Sequence, residues 1–174
     1  MSIIKANTFQ DRGGNVLLSS NGSGTISAGG AITNTPAFFA RNNALQTISN
    51  NTTTIIQVNE TLWDTHNAFN TSTYKYVVPT GHAGKYFFAA HLFSRVNDGQ
   101  ACMIRFQVNG IDFDDSEIRF HGSGSNQQMY MTTTRTFDLS VGDAVNYIIY
   151  QGSGSSQSFS ANQCYMAGHR LIGV

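Results

Sequence analysis

The sequence predicts an all-β fold: an antiparallel jelly-roll sandwich carried behind a short N-terminal β-rich stalk or anchor. Three observations predict it. Strand-length apolar runs recur between Gly/Ser/Asn turn clusters, and no stretch has helical periodicity. Charged residues make up only 11% of the 174 residues, against about a quarter in ordinary domains, while β-branched and aromatic residues are plentiful. Residues 84–93, Gly84-Lys85-Tyr86-Phe87-Phe88-Ala89-Ala90-His91-Leu92-Phe93, are largely apolar at both odd and even positions. A strand of that kind must be covered on both faces.

The chain divides at about residue 34 into an anchor segment (1–34) and a head (35–174). In the first, Ile3, Ile4 and Phe9 suggest one short strand, and Asp11-Arg12-Gly13-Gly14 a turn. Residues 15–20 and 25–27 flank Asn21-Gly22-Ser23-Gly24, a hairpin signal, because Asn-Gly accepts the positive φ values of a tight turn. So small a sheet cannot build its own core and needs a partner. Residues 27–31 then read as a linker. In the head, strands are expected at 36–41, 53–58, 74–78 and 84–93. Trp63 falls in a short strand or turn between residues 60 and 70. Residues 101–109 alternate cleanly, with Cys102, Ile104, Phe106 and Val108 opposite Met103, Arg105, Gln107 and Asn109. A long Thr-rich strand is expected at 127–139, one apolar on both faces at 144–151, and a closing strand at 164–172.

Ten Lys+Arg balance ten Asp+Glu, so nothing in the charge attracts nucleic acid or anionic lipid. No run of about 20 apolar residues suggests a membrane-inserted helix, and no signal peptide is expected in residues 1–10. Cys102 and Cys164 lie in separate predicted strands without metal-ligand spacing, and read as buried free thiols.

Several segments, taken in order, resemble the C1q/TNF-like family. Thr35-Pro36-Ala37-Phe38-Phe39-Ala40 resembles its opening strand, and Tyr76-Val77-Val78-Pro79 followed by Gly84-Lys85-Tyr86-Phe87-Phe88 its F-x-x-P…G-x-Y-x-F pattern. Val108-Asn109-Gly110, Leu139-Ser140-Val141-Gly142-Asp143-Ala144-Val145 and Ala167-Gly168-His169-Arg170-Leu171 match three further pieces. The resemblance implies a ten-stranded jelly roll that forms homotrimers through its aromatic strands. On that basis Tyr86, Phe88, Tyr147 and Ile149 are expected at the trimer seam. No Gly-X-Y collagen repeat is present. Residues 1–11 and 14–24 instead resemble the start of short structural proteins of marine and cyanobacterial phages.

If loops alternate between the two ends of a jelly roll, residues 80–83, 111–126 and 152–163 share the end far from the N-terminus. Residues 97–100 and 140–143 then share the stalk end. His82, His121, Asn126, Gln127 and Ser153 are therefore the distal-loop candidates for binding, with polar side chains suited to carbohydrate hydroxyls. Three copies of His82, His91 or His121 around one axis would hold a metal or titrate as a switch, against the plainer reading of ordinary packed histidines. Asp112, Asp114, Asp115 and Glu117 crowd one loop and are candidate calcium ligands. Their spacing is not that of an EF-hand, and Arg105 and Arg119 are near enough in sequence to neutralise them.

No cofactor is called for, and nothing reads as catalytic. There is no Gly-x-Ser-x-Gly elbow, and the crowded acids sit in one short loop instead of facing each other across a cleft. The expected role is a virion structural protein, a short homotrimeric fibre or spike. Residues 1–30 would anchor it to a capsid or tail protein, and the head would display loops toward a host surface or its carbohydrate. The competing expectations are a capsid decoration protein and a secreted C1q-like binding protein.

Overall fold

The structure, a computed structural model, describes residues 6–28 and 35–171. The anchor segment forms β1 (Thr8–Gln10), β2 (Val16–Ser20) and β3 (Ile26–Ala28), an antiparallel sheet in that order. The Asn21 carboxamide oxygen accepts the N–H groups of Ser23 and Thr25, and Gly22 and Gly24 take positive φ, so the expected hairpin turn forms. Phe9, Leu18 and Ile26 share one face, and no described side chain of this sheet is buried. The expected strand at Ile3 and Ile4 lies outside the described residues, as does most of the expected linker.

The head begins with β4 (Ala37–Arg41), β5 (Gln46–Ile48), β6 (Thr52–Ile55), β7 (Glu60–Asp64), β8 (Phe69–Asn70) and β9 (Lys75–Val77). It continues with β10 (Gly84–Val96), β11 (Ala101–Val108), β12 (Ile111–Asp112), a single 3-10 turn at Asp114–Ser116, and β13 (Ile118–His121). It closes with β14 (Gln127–Leu139), β15 (Ala144–Gly152), β16 (Gln157–Phe159) and β17 (Cys164–Arg170). The front sheet runs β14-β10-β17-β4-β7. The back sheet runs β12-β11-β15-β9-β8, with β13 on β11 and β6 on β15. β5 and β16 form a separate two-stranded piece. Every pairing between these strands is antiparallel.

The core fills the space between the two sheets. β10 contributes Tyr86, Phe88, Ala90 and Leu92, and the back sheet meets them with Ile104, Phe106, Val145, Tyr147 and Ile149. Phe38 stacks between Phe69 and Tyr76, with ring centroids 5.0 and 4.9 Å away. This packing corrects the expected trimer seam. Tyr86, Phe88, Tyr147 and Ile149 are at most 1% exposed inside one protomer, so none of them reaches a neighbour. Cys102 and Cys164 are buried free thiols, and burial pushes both up to about 12.

Register also corrects the loop assignment. β4 enters the head at Ala37, beside His169 of β17, and Arg170 pairs with Tyr86 near the start of β10. Gly84 in turn pairs with Leu139. His82 and residues 80–83 therefore sit at the entry end with residues 140–143. Residues 97–100 sit at the opposite end: the Gln100 carbonyl accepts the Gly122 N–H, and the Asn97 side chain donates to the Ser153 carbonyl. The acidic segment is not at either end, because β12 and β13 run back along β11 as the flank of the back sheet.

Candidate functional site

The outer face of the front sheet is aromatic. Along β10 it shows Phe87, Ala89, His91 and Phe93, all half-buried. β17 adds Tyr165, Ala167 and His169, and β4 adds Ala37 and Phe39. The rings form a continuous band: Phe39 on Tyr165 at 5.6 Å, Phe87 on His169 at 5.6 Å, and His91 stacked on Tyr165 at 4.7 Å and 12°. At the rim Trp63 is 51% and Tyr130 71% exposed. Charge is confined to the margins. Lys85 pairs across strands with Asp138 at one end, Arg95 stands at the other, and Arg41 bonds Glu60 at 2.6 Å along the β4–β7 edge. His91 Nδ1 lies 2.9 Å from the Thr132 hydroxyl, and burial lowers its pKa from the ordinary imidazole value. An apolar band of this extent, rimmed by charge, is the signature of an interaction surface.

The distal loops are held by side-chain amides. Buried Gln151 donates to the carbonyls of Ile48 and Ser155 and accepts the Ser153 N–H. Asn42, 1% exposed, donates to the carbonyls of Ala44 and Ser160 and accepts the Cys164 N–H. Among the expected binding residues, His121, Asn126 and Gln127 are at this end. Asn126 takes positive φ and donates its N–H to Asn97, while the Gln127 side-chain oxygen accepts the Ser123 N–H. Ser153 is a correction: it is 0% exposed, with its hydroxyl donating to the Ser155 carbonyl and accepting from Gln157. It organises the loop and is not displayed. His82 packs edge-on against His66 at 4.5 Å, and its carbonyl accepts the Tyr86 hydroxyl at 2.6 Å. Burial, then His66 and Arg170, lower its pKa.

Two clefts meet at Phe93, at the distal end of the aromatic face. One, about 210 Å³, is walled by His91, Phe93, Tyr130, Asn162, Gln163 and Tyr165. The other, about 130 Å³, lies among Arg95, Gln157, Ser158, Ser160 and Gln163. Asn162 and Gln163 lie in the 152–163 loop expected at this end but were not singled out, because they follow a Gly/Ser-rich stretch that reads as plain connection.

The four candidate calcium ligands are taken up by arginines. Arg105 pairs with Asp112, Asp114 and Glu117, Arg119 with Glu117 at 2.8 Å, and Arg135 with Asp115. Arg135 also lies over the Phe113 and Phe137 rings at 4.4 and 4.8 Å. Among the described residues no group of three or more His, Cys, Asp or Glu side chains is arranged to hold a metal ion. The cluster acts instead as a brace that ties the flank of the back sheet to β14.

No protein-family model and no curated protein matches the chain. Solved structures do. The globular domain of zebrafish complement 1qA is similar over 80% of this chain and 98% of its own, at TM-score 0.55 and 16% identity. Eiger TNF from S. frugiperda is similar over 79% of this chain and 93% of its own, at TM-score 0.55 and 10% identity. With the sheet order and register above, these likenesses show that the chain has the C1q/TNF-like jelly-roll fold.

Proposed function

We propose that the chain is a virion structural protein: a short homotrimeric fibre whose N-terminal segment docks on the particle and whose heads display a binding end toward a host surface. The observation that carries the reading is the aromatic outer face of the front sheet. Phe39, Phe87, Ala89, Ala167 and His169 form a half-buried, largely apolar surface that no other described element of the protomer packs over. Heads of this fold, as the sequence resemblance implies, associate in threes, and this face replaces the buried residues first expected at the seam. The one-sided apolar sheet of β1–β3, exposed at Phe9 and Ile26, supports a docking role for the anchor. Three identical binding ends gain avidity of roughly a hundredfold or more over one. No enzymatic activity is part of this reading.

Light scattering on the full chain and on Phe87→Asp tests the assembly. The wild type is expected to be a trimer and the variant a monomer with an unchanged far-ultraviolet circular dichroism spectrum. A trimeric variant contradicts the seam. The particle role is tested by mass spectrometry of purified particles. The full chain is expected to be present, and a chain lacking residues 6–28 absent.

A further inference from the structure

The two clefts that meet at Phe93 hold hydrogen-bonding groups and a ring face with no partner among the described residues. Gln163 uses its side-chain oxygen on the Ser160 N–H at 2.6 Å, which leaves its amide N–H groups free. Gln157 uses its amide N–H on Ser153, which leaves its oxygen free. Among the described residues the Asn162 side chain and the Tyr130 hydroxyl make no hydrogen bond. Tyr130 stacks toward His91 at 6.1 Å and tilts against Phe93 at 5.0 Å, and its 71% exposure leaves the ring face turned away from His91 open. Arg95 rests over the Phe93 ring at 5.6 Å and has no ion pair among the described residues. The loop that supplies the amides is fixed from below by Asn42 and Gln151, so the donors and acceptors are held in place before any ligand arrives.

We propose that this cleft binds an anionic saccharide, a sugar that carries a carboxylate. The inference rests on the reading of the head as a binding module and names its ligand class. The open ring face of Tyr130 beside the clefts matches the C–H face of a pyranose. Mixed amide donors and acceptors match vicinal hydroxyls, each of which both gives and takes a hydrogen bond. An apolar wall with a few fixed polar groups is the general form of a small-ligand site. The clefts are smaller than the roughly 300 Å³ or more of a drug-sized pocket, which suits one sugar residue in each and a short linkage across Phe93. Arg95 decides the charge. A guanidinium without a carboxylate, at the mouth of an otherwise neutral cleft, selects an anion with planar oxygen geometry. An acidic peptide would also satisfy Arg95 and pair its backbone with the amides, but an extended backbone offers no C–H ring face to Tyr130.

The experiment is calorimetric titration of the full chain, with its mass recorded by light scattering in the same buffer. The probes are trigalacturonate, sialyllactose, neutral galactotriose and triglutamate. At least one acidic saccharide is expected to bind, at least tenfold tighter than galactotriose and triglutamate. Arg95→Gln is expected to reduce it to the neutral level, and Tyr130→Ala to abolish saccharide binding at unchanged mass. Equal binding of acidic and neutral sugars, tighter binding of triglutamate, or no binding of any probe overturns the proposal. A fall in mass for Tyr130→Ala also overturns it, because the ring then belongs to the seam. Every lining group comes from one protomer. A monomeric wild type that still binds the acidic sugar therefore removes the trimer reading and leaves the cleft standing.

Discussion

Gly168 sits where β17 passes beneath two core rings. A Cβ there would lie 2.6 Å from Phe88 Cδ1 and 3.0 Å from Phe38 Cε1. Phe88 cannot retreat freely, since it is itself packed on Phe106 and Phe137. Gly168→Ala is expected to cost about 1–3 kcal/mol by overpacking, read as a lower urea midpoint at unchanged slope. Asn42 is the polar counterpart. Removing its side chain strands the Cys164 N–H and two carbonyls, so Asn42→Ala is expected to cost about 1–3 kcal/mol or more in the same measurement. Neither role was legible in the sequence. Gly168 stands in the closing family-like motif, but the motif does not show which rings the glycine makes room for, and a buried Asn in a loop carries no signal until Ser160 and Cys164, more than a hundred residues away, are brought to it. The inward residues of β10 were misassigned for a related reason. With both faces apolar, alternation identifies two faces but not which one the protomer keeps for itself.

At the scale of elements, the long strands were readable because their side chains answer to one local period. β10, β11, β14 and β15 all lie where the apolar pattern placed them, although β10 runs on to Val96. β5 and β16 were missed. Each is three residues long and is fixed by a cross-chain pairing between Gln46–Ile48 and Gln157–Phe159. β12 and β13 were hidden in the acidic stretch, whose charge suggested a loop and a cation. Its arginine partners lie on β11, β13 and β14, and only the fold shows that they converge. Arg135→Gln is expected to leave Asp115 unpaired and expose β13 to faster amide exchange, with little change at β17. At the other end of the chain, β1–β3 contributes nothing to the described core of the head. A chain beginning at Thr35 is expected to keep the full chain's thermal midpoint by calorimetry, and a markedly lower midpoint would mean that the anchor supports the head.

For the whole molecule, pH and assembly are linked through the histidines. His82 and His91 both have pKa values lowered mainly by burial, so the unfolded chain binds their protons more readily than the folded chain does. Stability from this source is complete above the ordinary imidazole pKa of about 6.5 and is lost as pH falls through and below it. Urea unfolding at about pH 7.5 and about pH 5 should show the loss, and the His82→Gln/His91→Gln double variant should show less of it. Covering the outer face up to His91 would bury that ring further, with no carboxylate facing it among the described residues from β10, β14, β17 or β4 in the middle of that face. Acid is therefore expected to weaken association as well as folding.

The jelly roll itself was legible from strand spacing, whereas the ends to which its loops belong were not. Loop placement follows from the register of β10 against β14 and β17, which is set by long-range pairing. The central claim, association through the outer face of the front sheet, is tested most directly by the solution mass of the full chain and of the chain starting at Thr35. Both are expected at three times their own chain mass. A monomeric head from Thr35 would contradict the account and would leave the apolar face of Phe39, Phe87 and His169 to a different partner.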